Sequence, residues 1–144
     1  MKHRLINEGT ERAFAVVLDL SDDPVSCLSV FARAQRLTAA RFTALGAFSQ
    51  VAVGFFDLQR KDYEKIEIDE QVEVISLVGD VALGPDGAPR LHAHVVVAKR
   101  DGSAWGGHLL HASVQPTLEV MLVESPAHLQ RCIDPATGLA LIAL

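Results

Sequence analysis

The chain has 144 residues, 49% of them hydrophobic and 22% charged, with a formal net charge of −5. That length suits a single domain, 1–144, able to bury a core without disulfide staples, and the balance of apolar to charged residues excludes a disordered chain. An acidic chain also lacks the lysine and arginine excess of a phosphate-tracking surface, which weighs against direct DNA binding.

The opening residues MKHRLINEGTER contain no apolar run fit for a signal-peptide core. No segment reaches the ~18 to 20 apolar residues of a membrane span, so the expectation is a cytoplasmic protein with no membrane partner. Residues 13–20, AFAVVLDL, alternate as a strand with Phe14, Val16, Leu18 and Leu20 on one face. Ser21, Asp22 and Asp23 ahead of Pro24 form a helix start, and the helix expected over 24–37 buries Val25, Leu28, Phe31 and Ala32. Arg33 and Arg36 fall in its last turn, where the helix dipole favours cations. Cys27 and Cys132 are far apart in sequence and read as small hydrophobes in a reducing compartment.

A β-rich remainder follows. Residues 49–58 form one strand and 60–69 another, with Ile66 and Ile68 on one face and Lys65, Glu67 and Asp69 on the other, the pattern of a solvated edge. Residues 72–83 are apolar enough for a central strand. Gly84-Pro85-Asp86-Gly87 then turns the chain into a strand over 90–99, and Arg100-Asp101-Gly102 turns it again into 104–114. Pro116 is expected to interrupt before a last strand over 118–124, and the tail 126–144 has room for a short helix. The pattern predicts an α+β fold, an antiparallel β-sheet flanked by one to three helices.

Between Asp86 and Glu119 lie four of the six histidines. His92 and His94 form a His-x-His pair on one strand, so both imidazoles share a face, about 7 Å apart along the backbone. His108 follows 14 residues after His94 with a turn between, and pairing across that turn brings it beside them. Gly106 and Gly107 permit close backbone approach there. Three imidazoles with a position left open are a ligand set for a divalent metal, zinc foremost, and such a site is potentially catalytic. Glu119 is the candidate for orienting a ligand or acting as a general base. His111 alternates to the other face from His108, His3 and His128 read as surface residues, Asp86 reads as a turn residue, and Trp105 reads as packing.

No phosphate-cradling glycine loop, Ser-His-Asp order or nucleophile elbow is present. The His-x-His pair also raises the cupin fold. A cupin requires a glutamate soon after the pair, and Val95, Val96, Val97, Ala98 and Lys99 stand there instead.

Taken in order, GAFSQVAVGFFD at 46–57, the Glu73, Ser76, Leu77 and Gly79 run, His92 and His94, Gly106-Gly107-His108-Leu109, and Pro116, Thr117 and Glu119 resemble the plants-and-prokaryotes-conserved (PPC) domain over about 12–123. The resemblance implies an antiparallel sheet with flanking helices and a homotrimer. In plant members the domain follows AT-hook segments and serves mainly protein–protein association. This chain carries no Arg-Gly-Arg-Pro segment, which points to the prokaryotic, stand-alone type. The expected function is therefore a trimer binding a divalent metal through His92, His94 and His108. The alternative is a non-catalytic regulatory module with a protein partner and indirect DNA association.

Overall fold

The computed structural model describes residues 1–144. Nine strands and one helix follow one another as β1 (Lys2–Glu8), β2 (Arg12–Leu18), α1 (Pro24–Ala34), β3 (Ala39–Asp57), β4 (Asp62–Ile68), β5 (Val72–Leu83), β6 (Pro89–Ala98), β7 (Ala104–Glu124), β8 (Gln130–Ile133) and β9 (Ala140–Ala143). The sheet runs β1-β2-β7-β3-β5-β8-β9, with β4 on β3 and β6 bridging β5 and β7. Because β3 pairs with both β5 and β7, and β6 pairs with both as well, these four strands close on themselves. Apart from the single parallel bridge between β5 and β8, every pairing is antiparallel. No helix is long and apolar enough to cross a membrane.

A contiguous core of 27 buried residues lies inside this closure and under α1. Strand β2 contributes Phe14, Val16 and Leu18 by strict alternation, and α1 contributes Leu28, Phe31 and Ala32 at helical spacing. Phe14 and Phe31 meet edge-on with centroids 5.2 Å apart, locking the helix to the sheet. The helix starts as its sequence predicts: Asp23 caps it by accepting from the Ser26 backbone N–H at 2.9 Å. The other Asp23 oxygen accepts from the Ala112 N–H at 3.0 Å, so one side chain both caps α1 and ties it to β7.

Five expectations need correcting. The fold has one helix rather than up to three. That helix ends at Ala34 instead of 37, because Arg36 turns into the left-handed region at φ 54°. Arg36 therefore lies outside the last turn, where Arg33 remains. The strand expected at 49–58 begins ten residues earlier, at Ala39. Its first half alternates Phe42 and Ala44 inward with Arg41, Thr43 and Leu45 outward, a pattern that small alanines disguise. The tail forms the β8–β9 hairpin and no helix.

Pro116 also fails to end a strand. Strand β7 runs through it, and the pairing with β3 is irregular just there, between Gly46 and Phe48, where the ladder does not need the missing proline N–H. Gly46, at φ 155°, makes this close crossing possible: a Cβ on it would stand 2.2 Å from the Thr117 carbonyl oxygen.

Candidate metal centre

Strand β6 sorts its residues by the period of two. Ala93, Val95 and Val97 are buried, while His92, His94 and Val96 point outward. In the β6–β7 ladder His94 lies directly opposite His108, and opposite residues of an antiparallel pair share a face. The three imidazoles therefore meet. Ring centroids are 5.1 Å apart for His92 and His94, 5.2 Å for His92 and His108, and 5.3 Å for His94 and His108. One nitrogen from each lies within 4.8 Å of the others, a spacing that one cation can span.

Glycines permit this convergence. A Cβ on Gly106 would stand 2.7 Å from the Val95 carbonyl oxygen, and one on Gly107 would stand 2.8 Å from that of Gly54. Gly54 in turn faces His108 across the β3–β7 ladder and leaves room for the Tyr63 ring. Tyr63 stacks on His108 with centroids 4.8 Å apart.

Behind the imidazoles stands a residue absent from the sequence-based site, Asp80. It lies opposite His92 in the β5–β6 ladder, with Oδ2 3.4 Å from His92 Nδ1. That separation gives a charge contact and falls short of a well-formed hydrogen bond. Asp80 Oδ1 accepts from Arg131 of β8 at 2.5 Å. Arg131 is the buried charged side chain of the molecule, and it also donates to the Ala140 carbonyl at 3.0 Å. Burial alone would raise the Asp80 carboxyl, but the contacts with His92 and Arg131 outweigh it and hold its pKa below the usual carboxylate range.

Electrostatics keep two of the imidazoles neutral. Burial, with the charges of His92 and His94 added, lowers His108 to about 4. His94 is also lowered, first by the protein packed around its ring and then by His92, although part of it faces solvent. Neutral imidazole is the form that ligates metal. His108 Nδ1 is buried and has no hydrogen-bond partner, which is costly unless a ligand engages the ring. The donor set thus fits a divalent cation.

Glu119 is not brought to the cluster. It lies eleven residues beyond His108 on β7, exposed, opposite Leu45 on one side and Val17 on the other. His111 is exposed beside Glu67 and Asp69, clear of the three imidazoles. Trp105 is 43% exposed, with the Lys99 ammonium 5.4 Å from its ring centroid, and is not a core residue. His128 is exposed, and His3 packs edge-on against Phe31 at 5.1 Å.

The model of the Plants and Prokaryotes Conserved (PCC) domain matches residues 6–126. The bifunctional protein GlmU of Synechococcus sp. (strain JA-3-3Ab) is 35% identical over 133 residues, covering 90% of this chain and 20% of that protein. The chain thus spans about a fifth of the length of that curated relative. A metal-containing protein from Archaeoglobus fulgidus superposes with TM-score 0.84 at 32% identity, covering 99% of this chain and 97% of that one. A Ralstonia eutropha JMP134 protein, assigned to DNA binding on a provisional basis, superposes with TM-score 0.84 at 29% identity, covering 91% and 90%. On the family match across most of its length, the chain belongs to the plants-and-prokaryotes-conserved domain family.

Proposed function

We propose that this protein binds one divalent metal ion, zinc by preference, through His92, His94 and His108, and works as a homotrimer around such centres. The carrying observation is the convergence of three imidazoles, two of them directly opposed across a ladder, on one point of the outer sheet face. Only three protein donors meet there, which leaves a coordination position for a small molecule. A bound divalent cation would supply Lewis acidity toward an oxygen-bearing ligand. Asp80 faces the Nδ1 side of His92, the position carboxylates take behind ligating histidines. Similarity to the metal-containing Archaeoglobus fulgidus protein supports the same reading.

The histidine face continues into exposed apolar surface. The ladder row Met121, Thr43, Val78, His94 shares one face, and Met121 and Val78 are 50% and 48% exposed, with Leu45 and Ile75 nearby at 63% and 55%. Exposed apolar residues gathered on one face favour association with further copies.

The experiment is elemental analysis of untagged protein beside a His92→Ala, His94→Ala, His108→Ala variant. One metal per chain in the parent and none in the folded variant supports the reading. No metal in the parent after zinc is supplied refutes it. A regulatory, DNA-associated role draws on the likeness to the Ralstonia eutropha protein, but the net charge of −5 provides no general attraction to phosphate. Salt-sensitive retention of the parent on DNA, unchanged by chelation, would favour that role.

A further inference from the structure

The C-terminal hairpin builds something that the family-wide part of the chain does not contain. Strands β8 and β9 lie beyond residue 126, where the family match ends, yet they form part of the wall of a cleft of about 430 Å³ that His92 and His108 also line. Arg90, Leu91 and Tyr63 also line it, whereas His94 borders a separate recess. Leu139 and Leu141 come from the hairpin, and Leu141 remains 45% exposed.

This wall is fixed in place. Arg131 is anchored on Asp80, the Gln130 side-chain amide donates to the Gly84 carbonyl at 2.9 Å, and the Leu83 N–H donates to the Leu129 carbonyl at 2.8 Å. A preformed cleft of this size, part apolar with a few convergent polar groups, has the character of a small-molecule pocket.

Charge and shape select the ligand. Imidazole ligands bring no negative charge to offset that of a divalent cation, and Asp80 is already paired with Arg131. Arg90 adds a guanidinium that spends one nitrogen on Asp86 at 2.6 Å and keeps other donors free. The cation attracts an anion, and the remaining N–H donors of the planar guanidinium suit a carboxylate. Leu91, Leu139 and Leu141 then offer apolar surface to whatever the carboxylate carries. We propose that this cleft is the ligand pocket of the histidine centre and accepts a small organic carboxylate bearing a short alkyl group. The inference rests on the metal reading above, since the cation supplies most of the attraction for the anion.

The test is calorimetric titration of the zinc-loaded full chain, its zinc content measured first, with 3-methylbutanoate, acetate and 3-methylbutan-1-ol as probes. The expected result is about tenfold or more tighter binding of 3-methylbutanoate than of acetate, with the alcohol weaker than the branched acid. Leu141→Asp, a surface change on the hairpin, is expected to abolish most of that preference with zinc content unchanged, and Leu139→Ser to reduce it. Equal affinity for acetate and 3-methylbutanoate, or an unaltered preference in both variants, overturns the pocket and leaves the metal centre standing. Failure to load zinc overturns both, and it shows in the elemental analysis before any ligand is added.

Discussion

Asp80 stands directly opposite His92, its carboxylate shared between the imidazole Nδ1 at 3.4 Å and the buried Arg131 guanidinium. One residue thus joins a strand of the closed sheet, a metal-ligand candidate and the C-terminal hairpin. Asp80→Asn keeps the shape and an oxygen for Arg131 but removes the charge facing His92. Zinc affinity, measured by competition with a chromophoric chelator, is expected to fall about 10- to 100-fold. Asp80→Ala removes both contacts and leaves the buried Arg131 without a counter-charge, with only the Ala140 carbonyl to accept from it. Its destabilisation is expected to reach about 3 kcal/mol, larger than that of the asparagine variant. Equal zinc affinity in the parent and Asp80→Asn would mean that Asp80 serves only the hairpin.

The glycines beside His108 predict a structural effect with a functional consequence. Gly107→Ala places a Cβ 2.8 Å from the Gly54 carbonyl oxygen, a backbone atom held in the β3–β7 ladder. The strands must separate to accept it, at a cost of about 1–3 kcal/mol. A melting temperature lower by about 3–10 °C is expected, together with weakened zinc binding, because His108 is the next residue. An unchanged melting curve would show that the crossing is looser than this contact requires.

Acid should destabilise the metal-free protein through His108. Above its ordinary value of 6.5 the imidazole is neutral in both folded and unfolded chains, so it contributes no pH dependence there. As the pH falls from 6.5 toward about 4, the unfolded chain takes up a proton that the folded chain refuses, and stability is lost across that window. Allowing for partial exposure of the ring, the loss is about 2 kcal/mol. Denaturant titrations of the apo parent and His108→Asn at pH 7 and pH 4.5 isolate it. The parent is expected to lose more stability than the variant, and parallel losses would contradict the assignment.

The apolar face beside the histidines makes an assembly prediction. Val78 and Met121 are half exposed on strands whose inner faces are fully packed, so charging them leaves the core intact. Light scattering should give the mass of three chains for the parent and of one for a Val78→Glu, Met121→Glu double variant. A monomeric parent would refute the trimer.

Much of this arrangement is legible in the sequence because it is local. The period of two along 92–97 turns His92 and His94 outward and Ala93, Val95 and Val97 inward, and the turn at 100–102 puts His108 within reach of His94. Asp80 was within reach of the same reasoning. The turn at 84–87 pairs Leu83 with Pro89, and counting back from it sets Asp80 against His92. What escaped is non-local. Arg131 becomes structural only because the tail folds back onto β5, and nothing in 126–144 announces that contact. Glu119 shares a strand with His108, but β7 is 21 residues long and carries the carboxylate away from the imidazoles. The first half of β3 hides because alanine and glycine occupy positions where larger apolar residues would have displayed the alternation.

The most direct test is anomalous diffraction at the zinc edge from crystals of the zinc-loaded protein. The account predicts a peak in every chain about 2.0–2.1 Å from one nitrogen each of His92, His94 and His108. A peak held by other residues, or no peak at the three imidazoles in zinc-saturated crystals, would contradict it.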